Sequence, residues 1–258
     1  MKTEVHVLGS GSAGNLVVLR CDDQLLLVDI GFSAKETERR LTAADLAVAG
    51  ITGILITHEH EDHVRGLRVF ADRHELPAYM NALTAERLHV LKKAPNEVHI
   101  FPNGVEFTIG AFRVDPFSVC HDAVDPVGYR LGCNGATVAL ATDLGYLGKL
   151  VPRKLSGADV ILLESNYDPD LLQRCKRPPR VIHRIRSKRG HLDNQTSLTC
   201  VAESATAKTQ HVIFTHLSDE CNDPALVEAM AKELLPAHLT VHVANQHEPV
   251  TARLKAAE

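Results

Sequence analysis

"THEHEDHVRGL", Thr57–Leu67, places His58, His60, Asp62 and His63 within six residues. It follows "ITGILI" (51–56), which reads as a buried strand, and leads into "VRGLRVFADRH" (64–74), whose apolar positions recur at helical spacing. The four donors therefore crowd a strand-to-helix turn, where ligands can converge without long side-chain excursions. Four nitrogen and oxygen donors in so short a loop exceed what one tetrahedral ion accepts, so they divide into two sets facing two metals. A solvated polar loop with accidental histidines is the competing reading, and the density of donors argues against it.

Outward from this loop the chain reads as strands flanked by helices. Strand-like runs cover 3–8, 16–20, 24–29, 53–56, 97–101, 104–109, 112–119, 127–132 and 136–141, with helix patterns at 33–47, 64–74 and 82–93. Strand and helix then alternate: 158–164, helix 195–208, 211–215, helix 224–235 and 239–244. Asp223 and Pro224 have the chemistry of an N-cap and a first helical residue. No repeat or low-complexity linker divides the chain. Two packed sheets between helical layers, in one domain spanning 1–258, is the architecture expected.

The early stretch "GSGSAGN" (9–15), with Asp29 twenty residues beyond Gly9, has the spacing of a dinucleotide-binding turn. That motif needs a helix next, and "LVVLRCDDQLLLVD" offers two strands around a polar turn. Without a helix N-terminus there is nothing to hold a pyrophosphate, so the cofactor reading fails.

Composition bounds the rest. The 258 residues are 45% hydrophobic and 23% charged, ordinary for a globular protein, and no apolar run spans a bilayer. The N-terminus lacks the apolar region of a secretory signal. Cys21, Cys120, Cys133, Cys175, Cys200 and Cys221 form no C-x-x-C pair, and are expected to be reduced thiols of a cytoplasmic protein. Histidine is abundant, at 15 residues. The net charge of −4 hides an asymmetry: "RCKRPPRVIHRIRSKRGH" (174–191) holds eight of the 28 basic residues and none of the 32 acidic ones. Such a run is either a solvated face or a binding site for a polyanion.

The histidine-rich loop resembles the signature of the metallo-β-lactamase-fold hydrolases, H-x-H-x-D-H after a buried strand, and the resemblance extends over about residues 3–245. It implies an α/β fold, an αββα sandwich of two mixed sheets flanked by helices. His60 stands where the flavo-diiron branch has Glu, which favours zinc over iron. Carried over residue by residue, the family's pattern assigns His121 ("FSVCHDAVDP"), Asp143 ("ATVALATDLG") and His216 ("HVIFTHLSD"), each at a strand end. One divalent ion, Zn2+ or alternatively Mn2+, takes His58, His60 and His121. A second takes Asp62, His63 and His216, and Asp143 is shared. Asp29 props the loop from behind. A hydroxide bridging the pair would be the nucleophile, oriented by Asp62.

The order of "VILLESNYD", "RGHLDNQTSL" and "VIFTHLSDE" is similar to phosphodiesterase branches such as ribonuclease Z, which implies that His191 donates a proton and Glu164 supports it. From spacing alone, His191 is equally a loop residue before a helix capped by Asp193 or Asn194. "LGSGSAGN", "HDAVDPVGYR", "ATDLGY", "ESNYD", "GHLDN" and "HLSDECN" resemble the YycJ/WalJ-like exonuclease branch more closely than ribonuclease Z, with departures at Tyr167, Asp193 and Gln195. The resemblance implies a 5′-to-3′ exonuclease on nucleic acid, DNA rather than RNA. The basic run abuts His191, so Arg184, Arg186, Lys188 and Arg189 are read as phosphate contacts. Ser12, Asn15 and Asn194 are further candidates for substrate binding, although "GSGSAGN" reads equally well as a purely structural turn. The alternatives are a small-molecule hydrolase of the same fold (lactonase, thioesterase or cyclic phosphodiesterase) and a nucleic-acid-binding module with a vestigial site.

Overall fold

The structure, a computed structural model, describes residues 2–254. The first half of the chain forms β1 (Thr3–Gly9), β2 (Leu16–Cys21), β3 (Gln24–Val28), α1 (Ala34–Ala43), β4 (Ile51–Leu55), α2 (Glu61–Val64), α3 (Leu67–His74), β5 (Ala78–Met80), α4 (Ala82–Val90), β6 (Val98–Ile100), β7 (Phe107–Ile109) and β8 (Phe112–Ser118). The second forms β9 (Val127–Cys133), β10 (Ala136–Ala141), α5 (Leu150–Leu155), β11 (Val160–Glu164), α6 (Pro169–Arg174), α7 (Pro179–Ile185), α8 (Asn194–Ser204), β12 (His211–Thr215), α9 (Pro224–Leu234), β13 (Thr240–Val243) and β14 (Val250–Arg253).

Two seven-stranded mixed sheets result, ordered β14-β1-β2-β3-β4-β5-β6 and β13-β12-β11-β10-β9-β8-β7. Strand alternation builds the layers. On β3, Leu26 and Val28 pack between the sheets with Val114, Tyr129 and Leu131. Leu25 and Leu27 face the other way, onto Leu41 of α1, Phe70 of α3 and Leu88 of α4. The outer face of the second sheet is covered by α5, α8 and α9 through Leu155, Leu198 and Val227. The αββα sandwich expected from the sequence is therefore present. Phe70 is fully buried, and its truncation to Ala would cost about 3–5 kcal/mol.

The β2–β3 turn pairs Cys21 with Gln24, which bears out the hairpin that excluded a dinucleotide site. Asp223 caps α9, with Pro224 behind it, as the sequence suggested. The helix expected over 64–74 is broken at Gly66, where a Cβ would sit 2.1 Å from the Phe32 carbonyl oxygen. That of 33–47 stops at Ala43, and only Phe107–Ile109 of 104–109 is strand, because the chain turns at Gly104 with φ +77°. β5, β14 and α5–α7 were not anticipated; each is shorter than eight residues, too few to display a period. Among the described residues no helix is long and apolar enough to cross a membrane.

Candidate metal centre

Every predicted metal-binding residue follows the C-terminal end of a strand, in the ensuing loop or, for Asp62 and His63, in the short helix α2. Asp29 follows β3, the histidine-rich loop follows β4, and His121, Asp143 and His216 follow β8, β10 and β12. Asp29, Asp143 and His216 adopt left-handed backbone, at φ 62°, 54° and 56°. Such conformations cost of order 1–3 kcal/mol each for non-glycine residues and persist only where the surroundings over-determine them. Here the surroundings do. Asp29 accepts from the Thr57 amide (2.8 Å), the Thr57 hydroxyl (2.8 Å) and His63 Nδ1 (2.7 Å). The His216 amide donates to Ser10 Oγ at 2.8 Å.

The acceptors around the imidazoles fix which nitrogen faces inward. His63 Nδ1 meets the Asp29 carboxylate and His121 Nδ1 the Gly190 carbonyl (3.0 Å); His216 Nδ1 meets Glu164 (3.0 Å). These partners can only accept, so Nδ1 carries a proton and Nε2 is the nitrogen left to face a cation. Thr57 has spent its hydrogen on Asp29, so its oxygen, 3.0 Å from His58 Nδ1, accepts there too. The Nε2 atoms left over converge. His58 Nε2 is buried with no hydrogen-bond partner, as expected of a nitrogen meant for a cation.

The donors form overlapping groups able to hold a metal ion: His58, His60 and His121; Asp62, His63 and His216; and His58, His63 and Asp143. Asp143 lies between the first two. Its Oδ2 is 3.2 Å from His63 Nε2, while its Oδ1 is 3.3 Å from His216 Nε2 and 3.8 Å from His121 Nε2. The residues present thus fit two cations. Burial and neighbouring imidazoles push His58 well below the usual range, and burial lowers His121. Burial also opposes charge on His63 and His216, yet nearby carboxylates, Asp143 foremost, hold both well above it. Asp62 and Asp143, although burial works to raise them, are held low by the imidazoles they face. The cluster carries alternating charge that divalent cations could replace.

Glu164, fully buried at the end of β11, accepts from two imidazoles on Oε1: His191 Nδ1 at 2.6 Å and His216 Nδ1 at 3.0 Å. Its Oε2 accepts the Leu144 and Leu192 amides at 3.0 and 3.3 Å. Glu164 therefore joins the donor cluster to His191, whose ring lies 5.1 Å from that of His121 and 5.3 Å from that of His216. Glu164 and His191 also form a donor group with Asp143 and His216.

Two expectations are corrected. Asn194 is fully buried, its amide tied to Ser165 and Asn222, and so is not offered to a substrate; Asp193 caps α8. Asn15 is likewise buried. Its Oδ1 accepts the Gly11 amide (2.9 Å) and its Nδ2 reaches the Gly11 carbonyl, Asp62 and His63 Nε2. The "GSGSAGN" turn, with Gly11 at φ 131°, is thus a brace for the metal loop, and only Ser12 and Ala13 at its tip are exposed. Arg184, Arg186, Lys188 and Arg189 are all exposed. Arg184 pairs with Asp122 at 3.1 Å, and Arg189 Nε donates to the His121 carbonyl at 3.2 Å.

Three residues at the site escaped the sequence reading. Thr57 bridges Asp29 to His58. Glu59 is buried and accepts the Val124 amide at 3.0 Å, tying the metal loop to the loop of His121. Asp122 Oδ1, which has no hydrogen-bond partner, lies 3.1 Å from His121 Nε2 and 3.9 Å from His60 Nε2. Only the adjacency of these residues to metal-ligating histidines could have drawn attention to them.

Comparison with known proteins agrees with this geometry. The family model described as the β-lactamase superfamily domain matches residues 25–217. Exodeoxyribonuclease YycJ of Bacillus anthracis is 36% identical, over 91% of this chain and 90% of its own. Exodeoxyribonuclease WalJ of Streptococcus pneumoniae is 33% identical, over 92% and 90%. The crystal structure of the metallo-β-lactamase-fold protein YhfI from Bacillus subtilis superposes with a TM-score of 0.76 at 18% identity, covering 97% of this chain and 99% of that one. With the fold, the donor groups and these matches in agreement, the chain belongs to the β-lactamase superfamily, as a metal-dependent hydrolase of the metallo-β-lactamase fold.

Proposed function

We propose that the chain is a dinuclear metal-dependent phosphodiesterase, a 5′-to-3′ exonuclease acting on DNA with a pair of Zn2+ or Mn2+ ions. One juxtaposition carries the reading: the acid-free run 174–191 ends at His191, and two of its four exposed cations reach the His121 loop, Arg184 on Asp122 and Arg189 on the His121 carbonyl. A polyanion held there has a phosphate beside the site, whereas a neutral lactone or thioester has no use for four exposed cations. The names of the YycJ and WalJ relatives support the same substrate class.

Bound at these donors, two divalent ions supply Lewis acidity, acidifying a water and offsetting charge on the phosphoryl oxygens. His58, His60 and His121 would hold one and Asp62, His63 and His216 the other, with Asp143 facing donors of both sets. Asp62, the more exposed of the two acids, orients the attacking water. Glu164, accepting from His191 Nδ1, stabilises the imidazolium, and His191 Nε2 gives its proton to the departing oxygen. The basic run tracks the backbone of the polymer and reads no sequence.

End-labelled single-stranded and duplex DNA, incubated with Zn2+ or Mn2+, tests this. Products shortened stepwise from the 5′ end are expected. Faster cleavage of matched RNA would move the substrate class, and turnover confined to lactones, thioesters or cyclic phosphodiesters would replace the reading with a small-molecule hydrolase. Binding without turnover would leave a vestigial site.

A further inference from the structure

The chain has seven Phe, four Tyr and no Trp. Ten of these eleven rings are buried or half-buried, and Tyr146 alone is exposed, at 51%. It stands three residues beyond Asp143, on the loop that leaves β10. That loop lies backbone to backbone against the turn that precedes His191. The Gly145 amide donates to the Cys120 carbonyl at 2.9 Å, next to His121. A Cβ on Gly145 would lie 2.3 Å from the Ser187 carbonyl oxygen and 2.6 Å from the Gly190 nitrogen. One on Gly190 would meet the Arg184 and Ile185 carbonyls at 2.2 Å. Gly145 thus permits the close approach of the Tyr146 loop to the turn that precedes His191, and Gly190 lets that turn fold back on α7. Above the ring, 5.1 Å from its centroid, is Lys188 Nζ.

A flat ring exposed at the rim of a phosphodiesterase site, with an ammonium beside it, matches the two faces of a nucleotide. The base offers a π-surface to the ring and the phosphate a charge to the lysine. Burial elsewhere would have recovered the hydrophobic free energy that this ring forgoes. Resting on the nuclease reading above, we propose that Tyr146 and Lys188 form a base-stacking subsite for a nucleotide flanking the scissile phosphate. Every base has a π-face, so the subsite takes any of the four.

The absence of Trp makes the test direct, since Tyr146→Trp creates a protein with a single indole fluorophore. Single-stranded oligodeoxynucleotide should quench its emission, and the same strand made abasic at its terminal nucleotides should not. In the metal-loaded wild type, the abasic strand should raise KM about tenfold. Tyr146→Ala should raise KM on intact DNA by a similar factor and suffer no further rise on the abasic strand, while Tyr146→Phe stays within about twofold of wild type. Unchanged KM on intact DNA in Tyr146→Ala, or equal quenching by both strands, would overturn the subsite and leave the nuclease reading standing. A wild-type protein that hydrolyses no oligonucleotide would overturn that reading instead, and the quenching comparison alone would then decide whether the ring binds bases.

Discussion

The two sheets are built alike and equip the site differently. Each sets three antiparallel pairings beside three parallel ones. In the first sheet the single segment after β4, a loop running into α2, supplies His58, His60, Asp62 and His63 together. In the second, β8, β10, β11 and β12 supply one residue apiece: His121, Asp143, Glu164 and His216. Donors that share a loop are held by local backbone and by Asp29 behind it. Donors from separate strands are held by register, because a one-residue slip would turn a strand-end side chain to the opposite face. The first sheet therefore delivers its donors on one segment, and the second makes the site conditional on the whole fold.

The contrast is broken most severely at Asp143, the second-half residue that reaches donors from both halves. Asp143→Asn should abolish hydrolysis and leave less than one metal ion per chain. His60→Ala, on the shared loop, should empty one position and leave the other filled. Elemental analysis of both variants separates the cases; an active Asp143→Asn protein carrying two ions would remove the shared role.

The next effect concerns Glu164 and His191. His191→Ala should lower kcat on DNA by about 10²–10⁴, with both ions retained, and the deficit should shrink on a nitrophenyl phosphodiester, whose leaving group departs without a proton. From the sequence, Glu164→Gln is a milder copy of this variant. The structure separates them, because Glu164 also accepts from His216 Nδ1. Glu164→Gln should therefore weaken metal affinity about 10–100-fold in addition to slowing turnover. Competition with a chelator measures this, and loss of metal from His191→Ala instead would make His191 a ligand.

What the sequence made legible follows the same division. The first-sheet donors are contiguous, so their residue types and spacing sufficed. His121, Asp143 and His216 each end an apolar run, and a lone residue there says little until topology gathers it with the others. The family's pattern supplied that order. Positive φ at Asp29, Asp143 and His216 has no signature in residue type beyond the tolerance of Asp for such backbone. The failures at Asn15 and Asn194 are alike: a polar side chain near a motif was read as available, and tertiary packing had already satisfied it. Short elements such as α6 and α7 escaped because six or seven residues display too little apolar period, and in α7 the basic run masks what there is.

The basic run sharpens the comparison from outside the metal cluster, since it belongs wholly to the second half. Replacing Arg184, Arg186, Lys188 and Arg189 by neutral residues should flatten the salt dependence of DNA binding. The log–log slope should fall by about 0.7–0.9 for each phosphate left without a cation. Turnover of a minimal phosphodiester should change little. Binding titrations at several salt concentrations measure the slope, and an unaltered one would reduce the run to a solvated face.

The smallest effect, in the metal-free protein, reads the two halves through their protons. His63 and His216, one from each half, are held protonated by carboxylates, so their folded pKa exceeds the unfolded value near 6.5. Their contribution to stability is complete below that value and is lost as pH rises through the folded pKa. His58 and His121 run the other way. Burial depresses them, so their penalty grows as pH falls below about 6.5 and is absent above it. The metal-free protein should therefore be most stable near pH 6.5, with its Tm falling by a few degrees toward pH 9. Metal binding requires His63 and His216 to release their protons, so the stabilisation by metal should grow over the same interval. Thermal melts at matched ionic strength, with chelator and with added Zn2+, would show the two curves diverging as pH rises. Parallel curves would mean that these imidazoles are not displaced by the metal, and the pairing of His63 and His216 in one coordination set would fail.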